Sequence, residues 1–210
     1  MANILIADDH AVVRTGLRHI LEANDSSVAI GEATSGSDTL RRLREGPWDL
    51  LVLDINMPDR GGIDILRHIR ASNPSLPVLV VSGFAEKQYA LMSLRAGASG
   101  YLEKGQSAEE LVRAVQTVLA GRRYVSAGLA ELLVDDLHAP SELPLHSQLS
   151  EREFQIFCKL ASGLRPSVIA RELYISVKTV STYRSRVLQK MAFRANADLT
   201  TYALRNGLIQ

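Results

Sequence analysis

The chain has 210 residues, 46% hydrophobic and 22% charged, an ordinary globular composition with room for one large domain or two small ones. Its net charge of +1 points to no particular partner, and a single cysteine excludes an internal disulfide. The charge is unevenly spread: residues 1–145 hold 14 Lys and Arg against 19 Asp and Glu, a net of −5, while residues 146–210 hold 10 against 4, a net of +6. An acidic front and a basic back imply two domains with different tasks, the second suited to nucleic acid. The opening MANILIADDH has no basic stretch followed by a long apolar run, and no apolar run reaches membrane-spanning length. The sequence therefore reads as cytoplasmic, with no membrane partner.

The elements follow in order. Ile4 to Ala7 is a short apolar strand ending at Asp8-Asp9-His10. Ala11 to Ala23 has helical spacing through Val12, Val13, Leu17, Ile20 and Leu21. A strand over Val28–Gly31 and a mostly exposed helix over Gly36–Arg44 come next, then the run Leu50–Leu53, which leads into Asp54. Four apolar residues in a row suit a strand covered on both faces. Gly61-Gly62 turns the chain into a helix marked by Ile63, Leu66 and Ile69. Val78–Val81 is a strand ending at Ser82, Lys87–Ala96 a helix, Gly100–Leu102 a strand ending before Lys104, and Ala108–Ala120 an amphipathic helix.

Five alternations of strand and helix predict a parallel, doubly wound α/β sheet of flavodoxin type. Ligands in such sheets bind beyond the carboxyl ends of the strands. Asp8 and Asp9 follow the first strand, Asp54 the third, Ser82 the fourth and Lys104 the fifth. Singly, each has an ordinary reading: the acidic pair as a helix cap, the lysine as a solvated group, nearby Tyr101 as sheet core. Together, on one edge, they form a site. Three carboxylates repel unless a cation intervenes. A hard divalent ion such as Mg²⁺ and the Lys104 ammonium both meet that need. Such a set suits phosphoryl transfer to a carboxylate nucleophile. Asp54, at the end of the central strand, takes that role. Asp8 and Asp9 hold the metal with Asp54 and the Asn56 main-chain carbonyl, Lys104 pairs with Asp54, and the Ser82 hydroxyl donates to the phosphoryl oxygens.

The pieces ILIADDH, LLVLDINMPDRGG, LVVSG and AGASGYLEK, with the closing helix, resemble the receiver domain of two-component response regulators. The resemblance implies Asp54 as phosphoacceptor, Asp8 and Asp9 as the acidic pair, Ser82 as the switch hydroxyl, Tyr101 as the switch aromatic and Lys104 as the conserved-type lysine. Gly105 stands where many receivers have proline.

Leu129, Leu132, Leu133 and Leu137 place a short helix over Ser126–His138, and Ala139–Gln148 carries Pro140 and Pro144. The expected division is a receiver domain over 1–121, a linker with a short helix over 122–148, and a second domain over 149–210. Ser150 with Glu153 is a capping box opening a helix with Phe154, Ile156, Phe157 and Leu160. Cys158, inside that pattern, reads as a packed thiol. Pro166 opens a short helix, Tyr174-Ile175 is a turn, and Ser176 caps a longer helix with Val180, Val187, Leu188 and Met191 inward. A fourth helix starts at Ala195 or Asn196. This is a four-helix, all-α helix-turn-helix domain whose third helix suits the major groove of double-stranded DNA. Lys178, Arg184, Arg186 and Lys190 are expected at phosphates, Ser181, Thr182 and Ser185 near base edges, with Thr179 and Tyr183 on the same helix. The pieces LSEREFQIF, IARELYISVKTVSTYRSRVLQKM and YALRNGLI resemble the LuxR-type DNA-binding domain. That resemblance implies dimer contact through Leu199, Tyr202 and Ala203. It is loose at Ala192-Phe193-Arg194, where family members often have glycine.

The whole is similar to a NarL/FixJ-type response regulator. A sensor histidine kinase would phosphorylate Asp54, and the phosphorylated protein would dimerise and bind DNA. No catalytic activity is expected beyond Mg²⁺-dependent phosphorylation and dephosphorylation of Asp54 itself. Two other classes compete. A phosphohydrolase would use Asp54 as nucleophile, but it usually needs an acid two residues later, where Asn56 stands. A constitutive DNA-binding protein would use the front domain only to dimerise.

Overall fold

The computed structural model describes residues 1–57, 59, 61–83, 86–131 and 144–209. The chain folds as two compact units, Met1–Leu137 and His138–Gln210.

In the first unit five strands alternate with five helices: β1 (Asn3–Ala7), α1 (Ala11–Asn24), β2 (Ala29–Ala33), α2 (Gly36–Glu45), β3 (Leu50–Leu53), α3 (Gly62–Ser72), β4 (Val78–Ser82), α4 (Glu86–Arg95), β5 (Gly100–Glu103) and α5 (Ala108–Leu119). All strand pairs are parallel and the sheet order is β2-β1-β3-β4-β5, the flavodoxin-like order. Every residue of β3 and β4 is buried, as continuous apolar runs in a two-sided sheet require. One face packs Ile4, Ile6, Leu50, Val52, Leu79 and Val81 against α5 through Leu111, Val115 and Val118. The order reverses between β1 and β3, so the chain opens a crevice beyond their carboxyl ends.

The second strand runs to Ala33, beyond the expected end at Gly31. Glu32 interrupts the apolar run, but its carboxylate is taken up by Arg14 and Arg18 of α1, so pairing with β1 continues through Ile6↔Glu32 and Ala7↔Ala33.

The stretch read as linker is engaged at both ends. The Tyr124 N–H donates to the Ser99 carbonyl at 2.9 Å and Tyr124 bridges Gly100, extending the edge of β5, while its hydroxyl meets Glu110. Residues 127–131 are helical and Leu129 is fully buried. Ser126 precedes this helix, and residues 132–138 of the expected Ser126–His138 helix lie outside the described residues. At the other end a 3₁₀ turn, Leu145–Gln148, belongs to the second unit, with His146 Nδ1 3.0 Å from the Tyr202 hydroxyl.

The second unit holds α6 (Glu151–Ala161), α7 (Pro166–Glu172), α8 (Val177–Lys190) and α9 (Asn196–Arg205). The capping box forms: the Ser150 N–H donates to Glu153 Oε2 at 2.8 Å and the Glu153 N–H to Ser150 Oγ at 3.4 Å. Phe154, Ile156, Phe157, Ile169, Val180, Val187, Leu199 and Ala203 make the core. Cys158 is buried among them and burial pushes its thiol up to about 12, which leaves it protonated and inert.

All four helices end alike. The residue two beyond each helix's last carries a positive φ: Gly163 (79°), Tyr174 (52°), Ala192 (55°) and Gly207 (62°). The N–H after each reaches back across the last turn, as from Leu164 to the Lys159 carbonyl and from Phe193 to that of Leu188. Two of the four positions use glycine and two do not. Ala192 lies where the sequence match to the LuxR family is loose. Ala192→Gly is expected to stabilise the second unit by roughly 0.5–1 kcal/mol, the relief of the left-handed conformation less the chain entropy that glycine adds. Urea unfolding at unchanged slope measures it, and a lowered midpoint counts against it.

Candidate functional site

The crevice beyond β1, β3 and β5 collects the polar groups singled out from the sequence. Asp8 follows β1 directly and is almost wholly buried; Asp54 follows β3 and is 2% exposed. Their main chains are locked to the sheet: the Asp54 N–H donates to the Ala7 carbonyl at 2.8 Å and the Asp8 N–H to Ala33 at 3.2 Å. Lys104 reaches in from the end of β5. Its Nζ lies 2.6 Å from Asp8 Oδ2 and 2.7 Å from Asp54 Oδ2, so one ammonium serves two buried carboxylates. Asp54 Oδ1 accepts the Asn56 N–H at 3.1 Å, and Asp8 Oδ1 the His10 N–H at 2.8 Å.

This imbalance sets the electrostatics. Burial raises the Asp54 carboxyl above the ordinary carboxylate value and the neighbouring Asp8 charge adds to that, against the opposing pull of Lys104. Burial alone would lower the Lys104 ammonium, but Asp54 and Asp8 together raise it. One ligand atom from each of Asp8, Asp9, His10 and Asp54 falls within 4.8 Å of the others. Asp9 Oδ1 is buried, lies 2.8 Å from His10 Nδ1 and receives no well-directed hydrogen bond. A convergent oxygen set short of positive charge, with a buried oxygen still to be satisfied, fits a hard divalent cation.

Ser82, the last residue of β4, is buried, and its carbonyl accepts the Lys104 N–H at 2.6 Å. Tyr101 sits inside β5 opposite Val80 and is fully buried. Gly62, read from the sequence only as part of a turn, and Asp59, which the sequence reading did not single out, both shape the loop after Asp54. A Cβ on Gly62 would meet Ile55 Cα at 2.6 Å and the Asp54 carbonyl at 2.7 Å, so only glycine lets α3 start this close to the loop after Asp54. Asp59, on the same loop, accepts the Gly36 and Ser37 N–H groups at 2.8 Å each and so caps α2. Beside it Ser35 accepts the Asp38 N–H.

In the second unit α8 carries the expected surface. Lys178, Ser181, Thr182, Ser185 and Arg186 are exposed. The three hydroxyls donate to carbonyls one turn back, Ser181 to Val177, Thr182 to Lys178 and Ser185 to Ser181, and keep lone pairs facing outward. Arg186 lies over the Tyr183 ring, 5.7 Å from its centroid. Thr179 is drawn to Ser176 at the start of the helix. Two of the cations expected at phosphates have partners within the domain. Arg184 Nε donates to Asn196 Oδ1 at 2.7 Å, tying α8 to α9, and Lys190 Nζ lies 2.6 Å from the buried Glu153 carboxylate. The dimer candidates need correction. Leu199 and Ala203 are fully buried in the domain, where packing on α6 claims them, and offer no surface to a second chain. Tyr202 is part-buried against His146. Leu204, 54% exposed, is a large apolar residue that α9 shows to solvent.

Comparison with known proteins agrees with both halves. Residues 4–116 match the family model of the response regulator receiver domain, and residues 147–203 that of the bacterial regulatory proteins of the luxR family. The chain is a LuxR-type response regulator. Response regulator GacA of Pseudomonas protegens is 36% identical over 209 residues, covering 100% of this chain and 98% of that one. Response regulator UvrY of Escherichia coli K12 is 35% identical over 210 residues, covering 99% and 96%. A solved structure of RcsB from Salmonella enterica serovar Typhimurium, bound to promoter rprA in the presence of the phosphomimetic BeF3⁻, is 25% identical with a TM-score of 0.64, covering 96% and 97%. This response regulator is a DNA-binding transcription regulator with a receiver domain, and none of its described helices is long and apolar enough to cross a membrane.

The Asp59 cap carries a pH signature. Burial raises its carboxyl, but the hydrogen bonds from Ser37 and Gly36 outweigh this and hold it at about 2. Its contribution to stability is complete above the unfolded carboxylate value of 3.8 and disappears as pH falls through about 2. Asp59→Ala is expected to cost about 1 kcal/mol near neutral pH. Thermal melts of the two proteins should converge as pH falls from 3.8 toward 2; a pH-independent difference would contradict the capping role.

Proposed function

We propose that this response regulator stores a phosphoryl group on Asp54, received from the phosphohistidine of a sensor kinase, and that the stored charge controls DNA binding by α8. The observation that carries this is the buried Asp8–Lys104–Asp54 arrangement at the β1/β3 crevice. An Asp54 oxygen attacks phosphorus as the P–N bond of the donor breaks, and the leaving imidazole keeps the electron pair and takes up a proton. Lys104, already 2.7 Å from Asp54, follows the charge onto the phosphoryl oxygens, and the Ser82 hydroxyl donates to them. Asp8, Asp9, Asp54 and the Asn56 carbonyl would hold Mg²⁺, which when bound supplies positive charge against those oxygens. Movement of Ser82 and Tyr101 around the phosphoryl group would shift a two-state equilibrium. Residues 1–121 would serve as receiver, 122–148 as connection and 149–210 as DNA reader, in the cytoplasm. A second copy would pack on the exposed face of α9 at Thr201, Leu204 and Arg205. Asn56, two residues after the nucleophile, cannot relay a proton, which favours a stored phosphate over rapid hydrolysis.

Incubation with acetyl phosphate and Mg²⁺ is expected to add one phosphoryl group to the wild-type chain and none to Asp54→Ala, read by intact-mass spectrometry. Footprints with and without that treatment should differ. A wild type left unlabelled under conditions that label other receivers overturns the reading.

DNA affinity has its own test. Arg186 is exposed and free to meet a phosphate, whereas Arg184 is held by Asn196. Arg186→Ala is expected to weaken binding uniformly across sequences and to reduce the salt slope of log K by about 0.9. Arg184→Ala should change that slope less. Titrations across salt concentrations measure both, and equal slopes for wild type and Arg186→Ala would remove that contact.

A further inference from the structure

The acidic loop is fastened to β2 by a side chain outside the Asp8–Lys104–Asp54 cluster. Arg14, in the first turn of α1, donates from Nη1 to the main-chain carbonyl of Asp8 at 2.8 Å and from Nε to Glu32 Oε2 at 3.0 Å. Its side chain is only 12% exposed. Glu32 stands on β2 opposite Ile6 and also accepts from Arg18, one turn further along α1. Burial would raise the Glu32 carboxyl, yet these two guanidinium groups bring it below the ordinary value, so it is a dependable anion for Arg14. At its other end the Asp8 main chain donates to the Ala33 carbonyl, the residue after Glu32. Asp8 is thus held by β2 twice, directly through its N–H and through Arg14 at its C=O.

The peptide between Asp8 and Asp9 is rigid and planar. Fixing the direction of its carbonyl therefore fixes the direction in which Asp9 departs, and so constrains where the Asp9 side chain begins relative to that of Asp8. A guanidinium donates along two fixed directions at once, which a lysine ammonium does not reproduce.

We propose that Arg14, oriented by Glu32, is a positioning residue for the divalent-cation site, setting the relative placement of the Asp8 and Asp9 carboxylates. This rests on the reading of the crevice as a Mg²⁺-assisted phosphoacceptor site. A mere brace between α1 and β2 would alter stability and leave ion affinity alone. A positioning residue alters affinity in a protein that is still folded.

The test uses the full chain with Arg14→Ala, Arg14→Lys and Glu32→Gln. Mg²⁺ affinity is measured by calorimetry, melting in EDTA, and acetyl phosphate labelling at limiting and saturating Mg²⁺. Arg14→Ala is expected to raise the Mg²⁺ Kd about 10-fold, the scale typical of groups that orient metal ligands. Its labelling should fall at limiting Mg²⁺ and recover at saturation. Arg14→Lys should restore part of the affinity, and Glu32→Gln should shift Kd the same way by less. A wild-type Kd in folded Arg14→Ala overturns the proposal, whatever the melting temperature. If that variant does not fold, Glu32→Gln decides: a raised Kd supports the proposal and an unchanged one overturns it. A wild type that binds no Mg²⁺ overturns the metal reading and this inference with it; equal binding by wild type and variants overturns the inference alone.

Discussion

One ammonium shared between two buried carboxylates is the constraint on which the receiver half depends. Lys104 lies within 2.7 Å of both Asp8 and Asp54, and Asp9 stands beside them. Buried charges are tolerated only when paired, and here the pairing is incomplete. Such a site is held together by the sheet around it. Asp54 and Asp8 are pinned by main-chain bonds to neighbouring strands, Lys104 by the Ser82 carbonyl, and the loop after Asp54 by Gly62 and the Asp59 cap. The fold spends its rigidity where the charge imbalance is greatest.

The helix-turn-helix half solves a different problem. A basic helix has to present cations to DNA without losing its own attachment to the domain. Of four candidate cations on α8, Arg184 and Lys190 are partnered internally, with Asn196 and Glu153. Lys178 and Arg186 remain on the exposed face. Lys190 also neutralises the buried Glu153 that completes the capping box of α6, so one ion pair links the recognition helix to the start of the domain. Its geometry makes Lys190 part of the scaffold of the reading surface.

Much of this was legible in the sequence because it is written in local periods. Apolar runs of four located β1, β3 and β4, and the residues at their ends pointed to the crevice. What was not legible depends on register or on packing direction. Glu32 broke the apolar pattern of β2, and its pairing with Arg14 arises only once β2 lies parallel to β1. The role of Gly62 follows from a close approach to Ile55, which a Gly-Gly pair signals only as a turn. Leu199 and Ala203 were dimer candidates because the family resemblance assigns the fourth helix to dimer contact, without saying which of its faces the domain's own core covers. The internal partners of Arg184 and Lys190, Asn196 and Glu153, were not legible because a charge on a polar face does not announce what it pairs with.

The same imbalance gives the proposed switch enough energy to work. Phosphorylation of Asp54 would replace a single negative charge by roughly two in a crevice where one ammonium already serves two carboxylates. An added unit charge about 4 Å away interacts by about 4 kcal/mol at an effective dielectric of 20. Coupling free energies between allosteric sites are commonly about 1–3 kcal/mol. The local electrostatic change is therefore larger than the coupling it has to drive, even after a bound cation offsets part of it. Lys104 is the group that must respond first. Its main-chain N–H is bonded to the Ser82 carbonyl at 2.6 Å, so a response that moved the Lys104 main chain would bear on the ends of β4 and β5 together. Tyr124 bridges Gly100 on the far edge of β5, so the strand that leads into Lys104 also holds the start of the connection toward the DNA-binding half.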